Sequence, residues 1–180
     1  MATSSRSLVS LAQRAEDIAS GLRAFREQVR PHEIQITAII GALFGLSVVL
    51  RELDTARYDP SLYRIRDDLA LVSPSVQSTL AAADEMFGRT RDRPYQTAWE
   101  DLQWRMEREE GLGFLERLRC YEDFCRALFD VMRGVRPTGF SDLRRVLATV
   151  ADVQRDGRSR GIDQPGMTMR VVKHRLGLGC

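Results

Sequence analysis

The sequence predicts an all-α protein, a single bundle of about six mainly antiparallel helices with an apolar second helix at its centre. Three observations predict this fold class. Apolar residues near the N-terminus recur at alternating steps of three and four, and the fifteen residues from Ile36 to Leu50 carry no charge. No stretch alternates apolar and polar residues for long enough to form a strand. A chain of 180 residues is also long enough for one domain with a sizeable core.

The first helix is predicted from about Ser5 to Val29. Its apolar residues follow the heptad spacing of a helix that packs along one seam: Leu8, Leu11, Ala15, Ile18, Leu22, Phe25 and Val29. Pro31 interrupts the chain directly afterwards and suits the first turn of a second helix.

The second helix is predicted from His32 to about Arg57 and contains the uncharged stretch. Fifteen residues at 1.5 Å each cover about 22 Å, whereas the hydrocarbon core of a bilayer is roughly 30 Å thick. Length therefore favours a buried core helix over a membrane span, because a helix that is apolar all round suits the centre of a bundle.

Small residues form one ridge of this helix, with Thr37, Gly41 and Gly45 spaced four apart. Each glycine lowers helix propensity by roughly 1 kcal/mol relative to alanine. We interpret the ridge as a site of close helix packing, because small residues let a neighbouring backbone approach. We expect leucine at Gly41 or Gly45 to overpack the helix, at a cost of about 1 to 3 kcal/mol.

The third apolar stripe runs from Leu62 to Phe87 and continues in register through Pro74. This pattern predicts either one kinked helix or two helices that abut at a Ser73 cap.

Three further helices are predicted after the polar connection that follows Gly88. The fourth begins near Tyr95, the fifth ends before Gly134, and Ser141 is expected to cap the sixth.

Charge and composition divide the chain into a bundle domain over residues 1–156 and a flexible basic tail over residues 157–180. Five basic residues against Asp163 give the tail a charge of +4, so a net charge of +2 leaves −2 for the body. A nearly neutral body of this kind is not typical of a nucleic-acid-binding protein, and we expect no nucleic-acid partner.

Cysteine usage points to a reducing compartment. The three cysteines, Cys120, Cys125 and Cys180, form no CxxC pair, and no apolar stretch lies close to the N-terminus. We expect an intracellular, cytoplasmic protein without a signal peptide or a transmembrane span.

Residue patterns that carry chemistry are rare in this sequence. His32 and His174 are the only histidines, which argues against the common zinc and di-iron helical sites, and no phosphate-binding loop or GxSxG motif occurs. We therefore expect no catalytic, cofactor-binding or metal-binding residues and no identifiable small-molecule substrate. An enzyme with an unrecognised pocket is the remaining alternative to a non-enzymatic protein.

A binding surface is predicted on the fourth helix. Trp99 and Trp104 are five residues apart and face different ways, and Trp99 belongs to the apolar stripe. Because tryptophan and arginine are favoured at the centres of interfaces, we expect Trp104, Arg105 and Arg108 to contact a protein partner or a second copy. A membrane is a less favoured partner.

Two segments resemble a known group of proteins. The stretches "EIQITAIIGALFGLSVVLRELD" (Glu33–Asp54) and "YRIRDDLALVSPSVQSTLAAADEMFG" (Tyr63–Gly88) are similar to the N-terminal helical domains of fungal multidomain proteins. These include the HeLo-like modules of STAND-type signalling receptors. The resemblance covers roughly residues 8–153 and implies an all-helical module that couples sensing to signalling or cell death, sometimes by acting on membranes. It implies no catalytic residues.

Overall fold

The computed structural model describes residues 8–89, 94–110 and 112–159, with side chains except at 57, 88–89, 105–110 and 156–159. These residues form six α-helices and three short 3₁₀ turns, and no strand occurs among them. The helices are α1 (Leu8–Arg26), α2 (Glu33–Thr55), α3 (Arg66–Arg89), α4 (Tyr95–Glu110), α5 (Phe114–Met132) and α6 (Phe140–Ser159). The predicted all-α fold is confirmed.

The first two helices form an antiparallel hairpin. A 3₁₀ turn at Arg30–His32, with Pro31 inside it, joins them. Ion pairs lie at both ends of the hairpin, between Arg26 and Glu33 near the turn and between Arg51 and Glu16 at the far end. Residues distant in sequence thus lie opposite each other, as an antiparallel pair requires.

Helix α2 forms the centre of the hydrophobic core. It packs most extensively against α1 and α5. The buried residues recur at steps of three and four along one side: Ile36, Ile39, Leu43, Leu46 and Leu50. The prediction of an apolar central second helix is confirmed.

Helix α3 continues unbroken through Pro74, so of the two predicted alternatives the single helix is observed and two helices capped at Ser73 are not. The hydroxyl of Ser73 instead donates a hydrogen bond to the Leu69 carbonyl within the same helix. Burial on both sides of the proline, at Val72 and Val76, holds the segment in helical form despite the missing backbone donor.

The start of α6 also differs from the prediction, because Ser141 lies inside the first turn and does not cap it. Gly139, with φ of +79°, occupies the turn, and its carbonyl accepts hydrogen bonds from the backbone of Asp142 and Leu143. A left-handed backbone conformation favours glycine at this position. Helix α6 extends three residues past the predicted domain boundary at 156, and residues 160–180 of the predicted tail lie outside the described part of the chain.

Helix α4 closes the end of the bundle where α1 ends and α2 begins. The buried Trp99 packs there against Phe25 and His32, and Tyr95 makes an edge contact with the Phe25 ring. Aromatic contacts of this kind contribute about 0.5 to 1.5 kcal/mol beyond the burial of their area.

Helices α3 and α6 lie side by side and run in the same direction. Arg144 pairs with Asp68 near the start of both helices, and Gln154 donates to Thr79 further along. By contrast α3 and α5 are antiparallel, since Arg64 meets the Met132 carbonyl and Thr79 meets Tyr121.

Candidate interaction surface on helix α2

The side of α2 that faces away from the core is uncharged between Ile34 and Val48. At 100° per residue, the positions on this side lie within about 40° of Gly41. We define the α2 face by six residues of this helix, Ile34, Thr37, Gly41, Gly45, Val48 and Glu52, together with the exposed Arg30 in the 3₁₀ turn directly before it. Ile34 is 88% exposed and Val48 is 52% exposed, although both belong to the helix that forms the core. The α2 face thus has an exposed apolar side chain near each of its ends.

Gly41 lies at the centre of the α2 face and is exposed. A Cβ atom placed there would meet no atom within 4 Å, and the hydroxyl of Thr37 bonds to the Glu33 carbonyl of its own helix. Among the described residues, no neighbouring helix packs closely against Gly41 within the bundle. Because the central residues of α2 are apolar on every side, the sequence did not predict which side of this helix faces outward.

Gly45 is approached closely, but by a side chain. A Cβ atom there would lie 2.6 Å from a carboxylate oxygen of Glu122 on α5. Glu122 also accepts a hydrogen bond of 2.8 Å from Arg126. The small residue makes room for this ion pair at the edge of the α2 face.

The opposite edge of the α2 face is formed by α1. The Arg23 guanidinium lies 5.0 Å from the centroid of the Phe44 ring. A shallow groove of about 510 Å³ between the two helices is lined by Arg23, Arg26, Thr37 and Ile40 among others. Basic groups therefore border the uncharged surface on this side.

A polar cluster fixes α2 against α1 beyond the α2 face. Glu16 accepts hydrogen bonds from Ser47 and from Arg51, the latter at 2.8 Å from Nη2 and 3.0 Å from Nε. These bonds favour the ionised carboxylate and hold the pKa of Glu16 below its ordinary value, with Arg51 as the main cause.

The predicted surface on α4 is described only at Trp104. This side chain is 58% exposed, whereas Trp99 is buried. The two tryptophans thus face different ways, as their spacing predicts. The side chains of Arg105 and Arg108 lie outside the described part of the structure, so their role in binding stays a prediction.

A second groove, of about 900 Å³, lies between α3 and α6. Polar groups are buried beneath it: Tyr121 and Thr79 share a hydrogen bond of 2.9 Å, and burial raises the pKa of the Tyr121 hydroxyl. The Ser75 hydroxyl, buried at the groove, has no hydrogen-bond partner within the described residues.

The charges around this second groove compensate one another. Each of its three arginines pairs with an aspartate: Arg144 with Asp68, Arg145 with Asp142 and Arg155 with Asp152. A groove with compensated charges does not select an anionic ligand. Sequence reasoning missed this groove because its two walls lie more than seventy positions apart.

The remaining reactive groups offer no assembled chemistry within the described residues. Full burial raises the pKa of the Cys125 thiol to about 12, and burial also raises the pKa of Cys120. Both thiols are therefore held in the protonated, less nucleophilic form. No group of three metal-ligating side chains occurs among the residues that the structure describes.

The segment Arg30–Thr55 is long and apolar enough to cross a membrane, with a mean hydropathy of 1.9 in its most apolar window. Half of that window is buried inside the bundle. A core helix of a soluble bundle has the same length and composition, so these properties alone do not separate the two environments. Comparison of the chain with models of protein families, with curated proteins and with solved structures gives no significant match.

Proposed function

We propose that this protein is a non-enzymatic protein-interaction module that binds its partner through the α2 face. The observation that carries the proposal is the exposure of Ile34 and Val48 on the helix that also forms the core. Complete burial of a fully exposed isoleucine or valine contributes about 1.5 to 3 kcal/mol, so Ile34 can contribute most of that range and the half-exposed Val48 about half of it. Two of them on one face supply a favourable contribution to binding without further apolar contacts.

The shape of the α2 face supports a helical or flat partner. The segment between Ile34 and Val48 carries no charge and is about 21 Å long at 1.5 Å per residue. Its centre is flat because Gly41 has no side chain. A helix laid along this segment would contact apolar groups at both ends and backbone in the middle.

A role as a signalling adaptor follows only from the resemblance to the N-terminal helical domains of fungal multidomain proteins. In such proteins the module connects a sensor to its effector, and a contact surface on a rigid bundle would serve that purpose. Partner binding and signalling are therefore two separate parts of the proposal, and the first can be tested alone.

The test is affinity capture with three forms of the full chain. Val48→Arg places a charge on the α2 face, and Val135→Arg is the matched control, because Val135 is 56% exposed and lies outside that face. We expect the wild type and the control to retain the same partner and Val48→Arg to lose it. Identical capture by all three forms would remove the α2 face from the proposal.

Action on membranes is a second candidate function, favoured by the length and hydropathy of Arg30–Thr55. In this reading α2 leaves the bundle and enters the bilayer. Light scattering and co-sedimentation with anionic liposomes test it. Binding or vesicle leakage supports the membrane function, whereas a protein that stays in the supernatant contradicts it.

A further inference from the structure

We infer that the partner bound by the α2 face is a second copy of this chain, packed antiparallel about a two-fold axis at Gly41. This inference rests on the proposed function and names the occupant of its binding surface. The observation behind it is the arrangement of residue types on either side of Gly41.

The α2 face is complementary to itself when reversed. Ile34 and Val48 each lie seven positions from Gly41, and both are exposed apolar residues. Thr37 and Gly45 each lie four positions away. In an antiparallel pair, Ile34 faces Val48 of the second copy, so apolar residues meet apolar ones, and Thr37 faces Gly45 of the second copy, beside which the Glu122 carboxylate lies.

The charges at the two ends of the α2 face select this orientation. Arg30 and Glu52 each lie eleven positions from Gly41, and both are exposed. An antiparallel pair brings Arg30 beside Glu52 of the second copy at both ends. A parallel pair would instead bring arginine to arginine and glutamate to glutamate. Because juxtaposed like charges suppress a competing arrangement, the end charges favour the antiparallel one.

The centre of the α2 face allows two helices to approach. A side chain at Gly41 would stand between the two backbones at the two-fold axis, and the glycine leaves that space open. The packing of the described residues does not explain the helix propensity lost at Gly41, since none of them lies within 4 Å of a Cβ placed there. Contact with α2 of a second copy would explain why glycine occupies this position.

The size of the α2 face determines the strength of the dimer. From Arg30 to Glu52 it is about 33 Å long, and a strip one helix wide covers roughly 350 Å² per copy. Stable interfaces bury about 800 Å² per partner. We therefore expect a weak dimer whose population rises with protein concentration.

The experiment is sedimentation velocity of the full chain over a wide concentration range, with charge reversals at the ends of the α2 face. Arg30→Glu and Glu52→Arg each place like charges together at two points of the dimer, so each should raise the Kd roughly tenfold. The double variant restores opposite charges and should return the Kd to within about threefold of the wild type. Arg136→Glu, an exposed arginine outside the face, is the control for the same change in net charge.

A steric variant provides a second measurement. Gly41→Leu has room in the monomer and raises helix propensity, so its melting temperature should not fall while the Kd rises at least tenfold. A wild type that stays monomeric throughout overturns the inference, and so does a double variant that dimerises no better than its parents. If the wild type is monomeric but a different protein is captured in a manner sensitive to Val48→Arg, the inference fails and the proposed function stands. If neither dimerisation nor capture sensitive to Val48→Arg is observed, the inference and the proposed function both fail.

Discussion

Two glycines one turn apart on α2 have different surroundings. Gly41 faces open space, whereas the Glu122 carboxylate occupies the position next to Gly45. The same residue type thus has two roles on one helix. At Gly45 the missing side chain accommodates an ion pair of the bundle, and at Gly41 it leaves the surface flat.

We predict that Gly41→Ala stabilises the monomer by up to about 1 kcal/mol, because alanine restores helix propensity and its Cβ meets nothing. Gly45→Ala should give a smaller gain or a loss, since the Glu122 carboxylate must move away from Arg126. Urea unfolding at low protein concentration measures both free energies. An equal gain at the two positions would contradict the difference in surroundings.

Glu16 predicts a pH dependence of stability. Its pKa is lowered from an ordinary value of 4.5 by hydrogen bonds from Arg51 and Ser47, so the folded state favours the ionised form. The stabilisation is therefore complete above the unfolded-state pKa and is lost as the pH falls through the lowered folded-state pKa.

We expect Glu16→Gln to be less stable than the wild type at neutral pH and the difference to shrink below about pH 4. Denaturant unfolding at a series of pH values measures this difference. Glu27→Gln is the control, because Glu27 is exposed beyond the end of α1. A stability difference for Glu16→Gln that does not change with pH would exclude linkage through this carboxyl group.

At the scale of helices, a buried hydroxyl network joins three of them. Tyr121 on α5 shares a hydrogen bond with Thr79 on α3 and donates to the Ser75 carbonyl at 3.3 Å, and Gln154 on α6 donates to Thr79. Since buried polar groups are costly when unpaired, this network also determines how the three helices fit together.

We predict that Tyr121→Phe destabilises the protein by about 1 to 2 kcal/mol, because the buried Thr79 hydroxyl loses its main partner. In the Tyr121→Phe background, Thr79→Val should lower the free energy of unfolding by less than it does in the wild type, as expected of groups that share one hydrogen bond. A double-mutant cycle from denaturant unfolding measures the coupling. Fully additive effects would show that the two hydroxyls do not act together.

Sequence periodicity predicted the helices well and their outward faces poorly. The stripe from Leu8 to Phe25 identified α1, since only one side of that helix is apolar. In α2 the residues on every side are apolar, so periodicity could not separate the buried Ile39 from the exposed Ile34. Orientation there depends on which neighbours pack against the helix, and those contacts are formed by residues far away in sequence.

Local signals at helix ends were also ambiguous. Pro74 and Ser73 were compatible with either one helix or a helix boundary, and tertiary burial of Val72 and Val76 explains why α3 continues through them. Ser141 read as a cap, yet the positive φ of Gly139 sets the start of α6. The groove between α3 and α6 needed the tertiary fold, because its walls meet only after the whole chain has folded.

At the scale of the whole molecule, the contacts differ greatly in sequence separation. The α1–α2 hairpin closes over contacts such as those of Arg51 with Glu16 and with Gln13, which are 35 and 38 positions apart. The pairs that hold α6 to α3 span 75 and 76 positions. Helices that run in the same direction cannot be joined by a short turn. The connection between α3 and α6 includes α4 and α5, so contacts between α3 and α6 have a large sequence separation.

This arrangement sets the order in which the molecule folds and opens. Closing a longer loop costs more chain entropy, so we expect α6 to gain its contacts after the α1–α2 hairpin has formed. We expect amide hydrogens of α6 to exchange with solvent faster than those of α2, through partial openings that leave the hairpin intact. Native-state hydrogen exchange detected by mass spectrometry measures both rates, and equal protection would mean that the bundle opens as one unit. The α2 face lies on the α1–α2 hairpin. We therefore expect this face to be available for binding before α6 packs against α3.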